Sequence, residues 1–495
     1  METLRTFLEK QACYIYILLI IPFFIFSYYF IQFSVDDSFI TYRYAHTFVN
    51  HGIWNWGATT SLVEAYTNFS YAVLSILPML WGMAPNLFFK IFGVIILVGM
   101  LLVMRRFAGS RIHLLLGLAL LTLSPWFYVH LYSGLETPLF VALIFIVFLL
   151  VEKDGPSSWI YACCLLLPLT RPEGAIYSVG ALGLYMYQSD RQIYKDRGVL
   201  FIGLIGVIYF VWRIWYFGYL LPNTFYLKSV VGFDLQGIGK NIFSAKLYIT
   251  SALVLLFFVR NYTFRLLTIL SSGVFFLSYA PSSLAMDYAS RFAFQVFFPV
   301  FLLATQVIDT RAWYKPALLG VIAAIVAMVN ISDLRGEARW YAEYFPRLIQ
   351  SHKKLGLALQ PFKDRNYSMV VQDAGLIPYY SEWKTYDIFG LADTEIAHEG
   401  NTVKYLETRN PDMILLYGTS PAGALLPGIT ASFIHSHEYQ YIGYTKWFPN
   451  YYIFVYLKKG LPDQSDIEKA IAEVRDASDN FSIDWNLFAK LGYLT

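Results

Sequence analysis

The chain has 495 residues, of which 57% are hydrophobic and 14% are charged, against a charged share of about 25% in an ordinary soluble domain. That composition excludes a soluble globular protein and marks an integral membrane protein. A formal net charge of +3, with the basic residues scattered among loops, excludes nucleic acid or another polyanion as a partner.

Taken in order, Arg5 and Lys10 precede an apolar run from about Tyr14 to Ile31 with no small-x-small cleavage site after it. This predicts a retained signal anchor. The run gives way directly to a polar interruption, Ser34 to Asn68, so that Asp36 and Asp37 fall where a membrane helix meets water. Acids at that depth are costly and point to function; helix capping accounts for one of the two and not for both.

A membrane helix needs about 20 mostly apolar residues. Apolar stretches follow at 69–83, 85–104, 112–131, 135–151, 158–170, 174–188, 199–217, 246–259, 265–280, 292–308 and 314–331. If 69–83 spans, the basic loop Arg105–Arg111 falls outside and every later basic loop is inverted. If it lies in the interface, the basic loops at 105–111, 152–157, 189–198, 260–265 and 309–315 all face the cytoplasm, as the concentration of Lys and Arg in cytoplasmic loops requires. The expectation is therefore a helical polytopic domain over 1–332, with about eleven spans, the N-terminus inside, the C-terminus outside and a first outer loop at 34–84. Pro172 breaks the segment 158–188 into two helices. Cys13, Cys163 and Cys164 all sit in apolar segments and read as buried thiols.

Past residue 332 the apolar runs shorten to strand length. SMVVQDAG, PDMILLYG and YYIFVYLKK read as strands, with helical stretches near 337–359, 402–409 and 464–477, which predicts an extracytoplasmic α/β domain over 333–495. His435 and His437 have ligand-like spacing on an expected strand but lack a nearby third ligand. No glycine-rich nucleotide loop occurs in the chain.

The phrases DDSFITYRYA, VEAYTN, SGLETPLF, TRPEG, LLPNTFYLK, MDYASRF and DAGLIPYY, in that order, resemble those of the GT-C class of polytopic glycosyltransferases, in the arabinofuranosyltransferase-like and mannosyltransferase-like branch. One phrase departs: this chain has EAYTN where that branch commonly has EGYTN. The resemblance implies a GT-C-like fold and an enzyme of the cytoplasmic membrane whose site faces outward. It would transfer arabinofuranose or a hexose from a polyprenyl-phosphate donor to a glycan, lipid or protein acceptor, with inversion. It also implies that an acid of the first outer loop is the base, a role carried here to Asp36 and Asp37. A divalent cation beside that pair is a further option.

Glycosyl transfer needs a base for the acceptor hydroxyl and cations for the departing phosphate. The candidates for the phosphate are Arg171, Lys228 and Arg291, with snorkelling to the headgroups as the plainer account. Glu64, Tyr66, Asn68 and Glu136 are candidates for sugar hydroxyls, with capping as the alternative; the same phrases add Arg43, Glu173, Asn223 and Asp287 as substrate-binding residues. Asp373 reaches the site from above or shapes a turn. A transporter or flippase of lipid-linked glycans, or a glycan polymerase or ligase, is the competing expectation. Transporters place their charges near the midplane and often repeat their halves, which this chain does not.

Overall fold

The computed structural model describes residues 18–190, 195–229, 235–282, 284, 286–312, 314–400, 403–425 and 428–483. Cys13 and the start of the anchor lie outside them; the anchor's described part is the apolar helix Leu18–Phe30. The polar interruption forms helix Asp37–His51, which buries Ser38 to Ala45 and stops at Gly52, whose φ of 71° supplies a left-handed cap. The segment expected in the interface is two short helices, Phe69–Leu74 and Ile76–Leu80, neither long enough to span.

Among the described residues, four helices can cross a membrane by length and apolar composition: Pro85–Phe107, Arg197–Phe217, Tyr288–Val307 and Tyr314–Ser332. Two bent pairs raise the number to six: Arg111–Leu123 with Pro125–Tyr132, and Leu235–Ser244 with Lys246–Phe258. The expected eleven spans are thus not all met by length. Thr137–Glu152 and Ser157–Thr170 are shorter apolar helices, and Gly174–Gln188 and Tyr262–Val274 are shorter again than a full span. The run 112–131, expected as one span, turns by 67° at Ser124. Ser124 is extended (φ −90°, ψ 103°) because it precedes Pro125, which disfavours helical backbone in the residue before it.

Thr137–Glu152 and Arg291–Val307 are buried along most of their length and form the centre of the bundle. At the periphery, Arg197–Phe217 turns Leu200, Phe201, Leu204 and Val207 outward, an apolar surface suited to lipid. The boundary expected at 332 is not a break. Helix Tyr314–Leu348 runs through it for 35 residues, since the composition changes there without any residue that stops a helix except Gly336. A π turn, Ile349–Lys353, and helix Lys354–Leu359 then enter the C-terminal domain.

That domain holds one sheet. Its strands are β1 (Ser368–Val371), β2 (Lys384–Asp387), β3 (Met413–Gly418), β4 (Tyr439–Phe448) and β5 (Tyr451–Lys458), in the order β2-β1-β3-β5-β4. β1 is parallel to β2 and β3, while β5 is antiparallel to β3 and β4. The three expected strands are β1, β3 and β5; the short β2 and the irregular β4 carry weaker alternation. His435 lies in helix Gly428–Ser436, not on a strand, because ITASFIHS places Phe433 and Ile434 inward on a helical face. Helix Gln464–Asp479 covers the sheet through Ile467, Ile471 and Val474.

Candidate active site

Eight separated stretches meet around one cavity of ≈ 570 Å³. The bundle supplies Asp36, Asp37, Thr41, Tyr66, Asn68, Glu136, Arg171 and Arg291, and residues from the loops around Thr224 and Met286. The C-terminal domain supplies Gln372, Asp373, Asp387 and Phe389. Membrane body and soluble domain thus share the walls.

Asp36 and Asp37 are both half-buried at the start of helix Asp37–His51. Asp36 does not cap its own helix. Its two oxygens reach across to the C-terminal domain, where Oδ2 accepts from Gly375 N at 3.0 Å and Oδ1 from Leu376 N at 2.8 Å. Burial pushes its carboxyl up to about 7, with the carboxylates of Asp373 and Asp37 adding to the rise and His352 and the Leu376 amide opposing it. Asp37 lines the same cavity, and its charge also acts on Tyr288 and Tyr344.

Glu136 is the second centre. Its Oε1 accepts from Arg171 Nη1 at 2.5 Å and Arg291 Nη2 at 2.9 Å, and its Oε2 from Asn68 Nδ2 at 2.8 Å. The Arg171 and Arg291 guanidinium groups supply the counter-charge for this buried carboxylate. Asn68 in turn accepts from Thr41 Oγ1 at 3.2 Å. Arg171 is closely engaged: Nε donates to Glu173 at 2.6 Å and Nη2 to Tyr279 at 3.4 Å, and the Tyr279 hydroxyl also donates to Glu173. Arg291 is less so, because its buried Nε has no partner among the described residues.

The remaining expected residues are placed elsewhere or differently. Glu64 does not line the cavity; both its oxygens accept from Arg213 Nε, at 2.7 and 2.9 Å, on the apolar helix Arg197–Phe217. Tyr66 lines the cavity, but its hydroxyl accepts from Trp54 Nε1 at 2.8 Å. Arg43 stacks 4.2 Å over the Trp56 ring and donates to Trp383 O at 3.0 Å. Asn223 ties the bundle to the C-terminal domain through Gly390 O, Leu391 O and Asp393 O, at 2.5 to 3.1 Å. Asp287 lines a neighbouring cavity of ≈ 840 Å³ with Trp126, Trp340, Tyr344 and Trp447, and burial raises it to about 6. The side chain of Lys228 lies outside the described residues.

Asp387, absent from the expectations, lines the cavity from the end of β2, where its carboxylate accepts from Phe389 N and Ala392 N at 2.9 Å each. Burial pushes it up to about 7. Among the described residues no group of three or more His, Cys, Asp or Glu is disposed to hold a metal ion.

Two comparisons bear on this geometry. A family model described as a domain of unknown function, DUF8728, matches residues 339–468. ArnT from Cupriavidus metallidurans, in a crystal structure of the apo state, is similar in fold with a TM-score of 0.53 and 11% identity, covering 90% of this chain and 98% of that one. At that identity the likeness is one of fold. No curated protein matches the chain.

Proposed function

We propose that this chain is a membrane glycosyltransferase of the GT-C class, transferring arabinofuranose or a hexose from a polyprenyl-phosphate donor to a glycan, lipid or protein acceptor with inversion. The observation that carries the proposal is the single cavity that joins Asp36 and Asp37 to Glu136, Arg171 and Arg291. The fold likeness to ArnT, which extends over 90% of the chain, supports the same class. The site faces away from the cytoplasm in this reading, as the basic loops require.

Asp37 is the base. It removes the acceptor proton as the anomeric carbon develops positive character, whereas Asp36, with an amide hydrogen on each oxygen, holds position. Arg291, which lines the cavity, faces the leaving phosphate. Arg171, gripped by Glu136 and Glu173, orients Arg291 through the shared Glu136 oxygen. The acceptor approaches Asp37 from the tryptophan-lined cavity beyond Met286, a residue common to both cavities.

The test is incubation of the purified protein with a panel of polyprenyl-phosphoryl sugars, reading release of polyprenyl phosphate. Release with one donor is expected. A protein inert towards every donor and acceptor class in the panel contradicts the proposal.

A further inference from the structure

The segment 339–468 matches a family model described as a domain of unknown function, and its contacts give it a task. We propose that it is the positioning half of the catalytic centre: the Asp373–Gly375 turn, braced by His352 and Tyr451, sets the Asp36 carboxylate and with it the start of the helix that carries Asp37. The inference rests on the glycosyl-transfer reading and names the residues outside the bundle on which that reaction depends.

Two consecutive amides on two oxygens fix the plane of the Asp36 carboxylate as well as its place. The approach that makes this possible admits only glycine. A Cβ at Gly375 would lie 2.2 Å from the main-chain oxygen of Asp36 and 2.3 Å from Oδ2. That same main-chain oxygen accepts from Phe39 N at 2.9 Å in the first turn of the helix, so a displacement of Asp36 is a displacement of Asp37.

The turn is braced from behind. Asp373 accepts from the Tyr451 hydroxyl at 2.8 and 2.9 Å and lies 3.0 Å from His352 Nε2. His352 sits in the π turn Ile349–Lys353, a rare conformation found frequently at functional sites. Its Nδ1 is 2.8 Å from Ser351 Oγ, which gives Ser–His–Asp the outline of a nucleophilic triad. Ser351 is fully buried and donates its proton to Arg347 O at 2.9 Å, so the three residues brace and do not attack. Two further ties hold the domain in register with the bundle: Asn223 to residues 390–393 and Arg43 to Trp383 O.

The experiment uses the full chain in detergent or lipid and two readouts. In donor kinetics, Gly375→Ala and His352→Phe are expected to lower kcat about tenfold or more, the scale of a sub-ångström to 1 Å misplacement, with donor KM little changed. His352→Gln, which keeps an N–H toward Asp373, is expected to recover most of the loss. In amide hydrogen exchange, Asp36→Ala is expected to deprotect Gly375 and Leu376 while β3 and β5 stay protected. Exchange does not depend on any donor, so a wild-type protein inert to all donors overturns the function, and the exchange arm still decides the positioning. Unchanged kcat in both variants, a loss that His352→Gln does not recover, or exchange at 375–376 indifferent to Asp36 overturns the inference.

Discussion

Glu136 gathers two arginines and an asparagine on its two oxygens, and all four residues lie in phrases that the sequence singles out one by one. What the sequence does not carry is that Asn68, Arg171 and Arg291 converge on one carboxylate, because they are separated by more than a hundred residues and joined only by packing. The hub also changes the meaning of Arg171, whose fork faces Glu136 and Glu173. Glu136→Gln keeps the shape but leaves the buried Arg291 without its counter-charge and Arg171 with Glu173 alone. Removing one partner of a buried pair costs about 3–5 kcal/mol, so a clear fall in Tm in detergent is expected, together with loss of transfer. A variant as stable as wild type contradicts the hub. Arg213 was the missed signal at this scale: an arginine within an apolar helix requires a buried partner, and Glu64 is that partner.

Among the elements, helix Pro85–Phe107 does more than span. Its buried Lys90 donates to Phe33 O at 2.6 Å and Tyr132 O at 2.9 Å. These carbonyls immediately precede the stretches that carry Asp36 and Glu136, and Val35 N bonds Ser133 O at 3.1 Å between them. One side chain therefore fastens the two acidic stretches to each other. Lys90→Met retains the stem but strands both carbonyls, with an expected destabilisation of about 1–3 kcal/mol for each buried group left unpaired. Thermal unfolding of the purified variant checks it, and an unchanged Tm contradicts the fastening role. Such a lysine reads in sequence as a lone charge in an apolar run; its purpose depends on two backbone oxygens that no side-chain pattern encodes. The bend at Ser124, by contrast, is written in the Ser-Pro pair, although hydropathy runs unbroken across it.

For the molecule as a whole, the motif phrases meet in one cavity. The C-terminal strands were legible from β-branched and aromatic runs. Their place as the roof of the site was not, because it rests on Gly375, Asn223 and Trp383 meeting distant partners. The orientation has its own check: a cysteine introduced by Gly109→Cys is expected to resist membrane-impermeant thiol reagents in intact cells and to react after permeabilisation. Labelling from outside contradicts the proposed topology and places the cavity on the wrong side. The central claim is that Asp37 carries the chemistry, and one measurement meets it most directly: turnover of a polyprenyl-phosphoryl sugar by folded Asp37→Asn protein. Removal of a general base predicts a fall of about 10²-fold or more in kcat at unchanged Tm, whereas turnover near that of wild type contradicts the account.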